Sequence, residues 1–424
     1  MRMVFTLAVA LTTGAAALGG SAVAQDITPA GDTVRYILDS SILFLGGVGA
    51  LIALAGLCMR EAGLARPQHT PSVCLRVLAG FGVAALAFWL VGYNLIYSIE
   101  EAGLLGAFRP WAPSDDDPLT AGRASAAAWF FQASLAALGV AAVSGAVSER
   151  ARLWPFLVFS ALLAGLIYPI AASWTRGQGY FAEVWGFYDF GGAVLHIVAG
   201  AAALAGAIVV GPRPGRYANG VVRPAAKTAL SLSALGVLLF APGWILALTA
   251  MHGSFSSVAA AISVSLIAAN GALAAGGGIV SALVITKLVY RRAGLVSSIA
   301  GAVGGLVAIA ADPLHPAAWQ AVMIGAVGGV IVTIAPPFLD RFRIDDAGFC
   351  VPAHLLCGLW GAAIAPWSNA DIWVFGQFVG LAAVAGFAFF MSLLFWIALK
   401  YFAGVRNVAL EDPAPAPSPA EANA

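Results

Sequence analysis

Charge is what this sequence has least of. Only 10% of its 424 residues are Asp, Glu, Lys or Arg, against about a quarter in an ordinary soluble domain. With 61% hydrophobic residues and a mean hydropathy of +0.91, the chain carries more apolar surface than an aqueous globule can hide. Lipid is its natural solvent. A formal net charge of +1 leaves no electrostatic footprint for nucleic acid. Cysteine is scarce too: Cys58, Cys74, Cys350 and Cys357 lie in or beside apolar segments without zinc-ligand spacing, and read as small core residues. No hydrolytic or phosphate-binding motif is visible, and Ala274-Ala-Gly-Gly-Gly278 reads as close helix packing. Neither a cofactor nor a resident metal is expected.

What is present is a long series of apolar runs. Residues 1–24 begin Met-Arg2-Met, continue apolar from Val4 and end Ala22-Val-Ala24, the pattern of a cleavable signal peptide. Residues 25–406 form the membrane domain, and 407–424 a Pro/Ala-rich tail expected to be disordered. After the signal, eleven segments are long enough to cross a bilayer: 36–59, 74–98, 124–148, 153–173, 189–211, 226–250, 261–289, 296–311, 317–339, 349–367 and 374–402. A mature N-terminus outside and eleven spans put the C-terminus inside. Only Arg35, Arg109, Arg123 and Arg176 then fall on the outer side, as the positive-inside rule asks. The expected localisation is an inner (cytoplasmic) membrane, N-terminus periplasmic and C-terminus cytoplasmic.

Few ionisable residues lie well inside these runs; Asp189, His196 and His354 are the clear ones. A charge at the centre of a spanning helix costs roughly 2.5–3.5 kcal/mol even on lenient scales, so such residues are functional candidates. The bland alternative is a histidine satisfied by a helix carbonyl. Two further features argue against it. Each histidine is followed by the same spacing, His196-Ile-Val-Ala-Gly200 and His354-Leu-Leu-Cys-Gly358. They also sit in segments five and ten, so an odd number of spans separates equivalent positions and the second copy is inverted. The expected architecture is therefore an all-α polytopic membrane protein: two inverted five-helix repeats plus a final strap helix, with both imidazoles facing one conduit. Asp189, at the start of segment five, can cap that helix.

The polar positions among these runs carry a resemblance. Ala85-Leu-Ala-Phe-Trp-Leu-Val-Gly-Tyr93, Ser144-Gly-Ala-Val-Ser-Glu-Arg150, Leu166-Ile-Tyr-Pro-Ile170, Ala203-Leu-Ala-Gly-Ala207 with Gly211-Pro-Arg, and above all Asp345-Asp-Ala-Gly-Phe-Cys-Val-Pro-Ala-His354-Leu-Leu-Cys-Gly-Leu-Trp-Gly361 resemble the ammonium transporter (Amt/Mep/Rh) family, from about Arg35 to Arg406. The resemblance implies a homotrimer with a narrow pore in each subunit, His196 and His354 as its twin histidines, and Asp189 supporting substrate recruitment. Ammonium and potassium are alike in size and charge, but only ammonium is an acid. A dry lumen with paired imidazoles can therefore separate them by moving a proton.

The sequence also departs from the family pattern. Asp189 and His196 are one residue closer than usual, a difference of about 100° on a helix unless the turn at Gly191-Gly192 absorbs it. The two gating phenylalanines fall on Leu135 and Ala247, and an asparagine after the second falls on Leu248. The outer aromatic wall falls on Arg176, with Trp174 nearby as a partial replacement and Phe130, Phe131 or Trp244 available to fill the mouth. The family's tail survives only as Gly404-Val-Arg-Asn, so a PII-type regulator is not expected. Two other readings stay open at this stage. One is a degenerate member that senses, binds or passes another small neutral solute; the other is a haem carrier using both histidines as axial ligands.

Overall fold

In the computed structural model, the described residues are 31–176, 178–223 and 229–407. The expected signal peptide, and all of the expected tail after Asn407, lie outside them. Nine helices among these residues are long and apolar enough to cross a membrane, and two shorter apolar helices accompany them. They are numbered here α1 (Asp32–Leu64), α2 (Thr70–Ala87, continued through Phe88–Gly92 to Tyr97), α3 (Ser125–Ala146), α4 (Leu153–Leu162, continued through Leu163–Ile167 to Arg176), α5 (Ala193–Val210) and α6 (Leu230–Ala250). The second half holds α7 (Val258–Tyr290), α8 (Leu295–Ile309), α9 (Ala318–Arg341), α10 (Val351–Leu356 continued by Cys357–Ile364) and α11 (Val374–Phe402). This agrees with eleven spans, α8 and α10 being the short ones. Among the described residues the only sheet-like feature is an isolated bridge between Ala151 and Arg406.

In lipid, helices gain little by hiding apolar side chains from one another, so small residues that let backbones touch decide the packing. The contact of α1 with α6 shows this. A methyl group added at Gly49 would lie 2.7 Å from the Gly243 carbonyl oxygen, and one at Gly243 would lie 2.7 Å from that of Gly49. One turn-pair along, Gly56 and Gly236 make the same reciprocal approach. Moving up α1 from 49 to 56 means moving down the numbers of α6 from 243 to 236, so the two run antiparallel. They are the first helices of the two repeats, and opposite directions are what inversion requires. By contrast, Gly325 sits on Ala274 and Gly329 on Gly278: α7 and α9, two spans apart, run parallel.

The final helix lies along the first repeat. Trp396 of α11 is fully buried and stacks on Phe159 of α4 with ring centroids 4.4 Å apart. Its indole also fills the space beside Gly206 of α5. This is the strap expected from the leftover span.

Candidate functional site

The two histidine helices cross where the sequence repeats itself. A Cβ at Gly200 would collide with the Leu355 backbone, and one at Gly358 would lie 3.0 Å from Ile197 Cγ1 and 3.5 Å from its nitrogen. Each glycine thus makes room for the residue that follows the other helix's histidine. The close crossing puts the imidazoles in contact: Nδ1 of His196 and Nδ1 of His354 are 3.1 Å apart, with ring centroids 4.9 Å apart and planes 33° from parallel. Both are buried, at 1% and 0% exposure.

The contact constrains the protons. One Nδ1 must carry the hydrogen and donate, and the other must be bare to accept. If both rings are neutral, the donating ring has a bare Nε2 and the accepting ring carries its proton on Nε2. The pair therefore offers one acceptor and one donor on its free edge. Neither Nε2 has a partner among the described residues. The same holds for the indole Nε1 of Trp244, whose ring packs edge-on against His196 with centroids 4.5 Å apart. Buried polar atoms are nearly always satisfied, so three ring nitrogens without a partner in one apolar crossing are an unmet hydrogen-bonding edge.

At one end of this crossing, Asp189 holds the start of α5. Its Oδ1 accepts from the Ala193 N–H and its Oδ2 from the Val194 N–H, both at 3.0 Å. The turn passes through Gly191, at φ 131°, a backbone conformation that suits glycine. The turn leaves Asp189 four and five residues ahead of the N–H groups it caps, as Asp346 stands to Cys350 and Val351, so the shorter Asp189–His196 spacing falls beyond the cap, within α5.

Arg176 lies over that turn. A methyl group at Gly191 would lie 3.0 Å from its Nη2, and one at Gly192 would lie 3.3 Å from Trp244 Cζ2. Contacts thus run from His354 to His196, then Trp244, Gly192 and Gly191, and then the guanidinium. Arg176 Nη1 donates to Gln132 Oε1 at 2.7 Å and to the Tyr168 hydroxyl at 3.4 Å, while Tyr97 and Asp189 complete its polar surroundings. Its Nη2 has no partner among the described residues.

The other residues singled out from the sequence divide. Trp174 does not join Asp189: its ring packs on Phe181 and Phe387, with centroids 4.9 and 5.0 Å away, and its N–H donates to the Leu104 carbonyl. Trp174 thus sits among aromatic rings, while the Arg176 guanidinium lies against Gly191. Leu135, Ala247 and Leu248 are fully buried. Of the three candidate fillers, Phe130 stacks on Phe44 and Phe131 packs beside Gly46; Trp244 is the one against His196. Gln132, Tyr97 and Tyr168 were not foreseen. Their signal is weak, a polar atom on each of three helices, and only the fold shows that they meet one cation.

At the opposite end, the polar motifs form an ionic base beneath α10. Arg213 donates to Asp345 through Nε and Nη2, both at 2.8 Å, and the backbone N–H of Arg213 adds a third bond at 2.8 Å. Glu149 accepts from Arg66 Nε at 2.8 Å. The buried Arg150 bonds to the carbonyls of Gly211 and Asp345, and the buried Arg60 to that of Gly348 at 2.6 Å. Burial alone would raise the Asp345 carboxyl, but the Arg213 bonds and the charge of Arg150 overcome it and hold it well below the usual carboxylate range. Asp346 beside it caps α10, its Oδ2 accepting from the Val351 N–H at 2.7 Å.

The apolar helices and their inverted crossing define a polytopic helical membrane protein. The comparisons give it a family. The model of the Ammonium Transporter Family matches residues 42–412. A Synechocystis sp. protein assigned as an ammonium transporter is 34% identical over 89% of this chain and 87% of its own. The ammonium transporter Amt2 of Archaeoglobus fulgidus is 31% identical over 72% of this chain and 66% of its own. The chain belongs to the ammonium transporter family. Among solved structures, a sensor Amt protein aligns with a TM-score of 0.82 at 25% identity, covering 89% of this chain and 96% of its own. Candida albicans Mep2, at 22% identity and a TM-score of 0.77 over 88% and 86%, supports the fold.

Proposed function

We propose that the protein conducts ammonium or ammonia across a membrane through a path that runs past His196 and His354 in each subunit. The observation that carries this reading is the direct 3.1 Å contact of two buried imidazoles with their Nε2 atoms unpartnered. A guest with both N–H groups and a lone pair matches the donor and the acceptor on that edge. A bare alkali cation matches neither, and the apolar walls around the pair penalise it. Relatives above 30% identity carry transporter names, which favours conduction over the sensor reading. The haem reading fails on geometry, since touching imidazoles leave no space for a macrocycle between their facing nitrogens.

In this reading the membrane is the cytoplasmic one. The Asp189 end faces outwards and the ionic base around Asp345 faces inwards, where the arginines concentrate. Assembly as a trimer follows the family resemblance. The test is flux into proteoliposomes under an ammonium gradient. Wild-type protein should exceed empty liposomes, and His196→Ala together with His354→Ala should fall to within a few-fold of that background. Equal flux in the double variant would remove the twin-histidine path.

A further inference from the structure

Arg176 changes what such a path can admit. We propose that Arg176 is a specificity-determining residue at the Asp189 mouth, selecting the neutral amine and turning its protonated form away. The inference rests on the conduction reading above and deepens it.

The donor and acceptor inventory at the mouth carries the argument. Ammonium has four N–H donors and no lone pair, so it needs acceptors. Each of those near the guanidinium already accepts a bond that an ammonium would have to share: both oxygens of Asp189 bond the start of α5, Gln132 Oε1 and the Tyr168 hydroxyl receive Arg176 Nη1, and the Tyr97 hydroxyl is bonded to the guanidinium and to Gln132. With the Tyr97 bond to the guanidinium also made, the donor left without a partner among the described residues is Arg176 Nη2, lying against Gly191. A free N–H in a low-dielectric site asks for a lone pair, and neutral ammonia or methylamine has one.

Charge points the same way. The carboxylate of Asp189 would attract a cation, but the guanidinium stands beside it and offsets that field. The charged and titratable groups facing Arg176 are Asp189, Tyr97 of α2 and Tyr168 of α4, with Arg123 acting on Tyr97 from further out. None adds a second negative charge at neutral pH, because tyrosines ionise near pH 10. An arriving ammonium therefore meets a resident cation with no surplus anion to hold it. An arriving ammonia meets an N–H donor lying against Gly191, one residue from the Gly192 beside which Trp244 packs.

Two measurements decide this. First, the detergent-purified protein is titrated with ammonium chloride, with sodium chloride at equal ionic strength as control, and its unfolding temperature followed. Wild type should show no ammonium-specific shift. Arg176→Ala, which frees the Gln132 and Tyr168 oxygens and removes the cation beside Asp189, should gain a saturable shift, and Arg176→Lys should stay near wild type. An equal ammonium-specific shift in wild type and Arg176→Ala overturns the proposal.

Second, flux and current are read from proteoliposomes at fixed total ammonium. Wild-type flux should rise about tenfold for each pH unit between 6 and 8, following the neutral fraction, and carry no current. Arg176→Gln should flatten that profile and produce current. A wild-type current that tracks total ammonium overturns the proposal. Absence of flux in wild type would instead count against the conduction reading, and the binding measurement would still decide the role of Arg176.

Discussion

The two histidine helices start alike and differ by one residue. On α5, Asp189 caps the N–H groups four and five positions on, at Ala193 and Val194. On α10, Asp346 does the same at Cys350 and Val351. From those caps His196 is two residues past Val194, whereas His354 is three past Val351. The extra residue sits in the π-helical turn Val351–Leu356, which takes one more residue per turn than an α-helix. The inverted halves therefore deliver their imidazoles to the same point despite unequal lengths. The comparison teaches that the caps and the crossing are fixed, and that helix winding is adjusted to serve them.

The largest difference between the halves is what stands under each cap. The α10 end rests on the carboxylate–arginine base; the α5 end has a lone guanidinium held mainly by neutral acceptors. Removing one partner of a buried pair leaves the other uncompensated, at about 3–5 kcal/mol. Asp345, at 1% side-chain exposure, and Arg213, at 11%, meet that condition. Asp345→Asn is expected to lose on that order, read as unfolding in detergent, while Arg176→Gln loses much less. The pH dependence has a definite sign. The folded-state pKa is depressed, so the contribution is complete above the unfolded value of about 3.9. It fades as pH falls through the folded value. Asp345→Asn should remove that acid dependence.

The second difference separates two glycines that the sequence makes equivalent. A Cβ at Gly200 meets the Leu355 backbone, which cannot move without parting the helices. At Gly358 the tightest contact is the end of the Ile197 side chain, which can rotate. Gly200→Ala is expected to cost about 1–3 kcal/mol or more and to widen the imidazole contact; Gly358→Ala should cost less than about 1.5 kcal/mol. Paired unfolding and flux measurements check both. Equal effects would mean that the crossing is not tight at Leu355.

Much of this was legible beforehand because it depends on local chemistry. The repeated spacing of His196–Gly200 and His354–Gly358, in spans of opposite sense, announced a crossing. Asp189 before an apolar run announced a cap. What could not be read was direction in space. Trp174 and Arg176 are two residues apart, about 200° around a helix, and nothing in the sequence says which turns inwards. The π turn at Val351–Leu356 was equally silent, since Pro352 and the apolar residues around it suit an ordinary helix start. The mapping of aromatic positions onto Leu135 and Ala247 likewise could not foretell that Trp244 would come to lie against His196.

The smallest effects belong to the caps themselves, and they test whether the two halves truly correspond. Asp189→Ala and Asp346→Ala each remove the side-chain acceptor from a helix start, at about 0.5–2 kcal/mol. Asparagine keeps one acceptor and should recover part of that loss at either position. The halves should part company in function. Asp189→Asn leaves Arg176 without its nearest carboxylate, so the mouth becomes more positive and ammonium is excluded more strongly. Flux of the neutral form should persist, because the α5 cap and the His196 contact survive. Asp346→Asn changes a group beside several arginines at the far end and should leave the dependence of flux on external pH unaltered. If both asparagine variants shift that dependence equally, selection does not reside at the Asp189 mouth, and the two ends are more alike than their surroundings suggest.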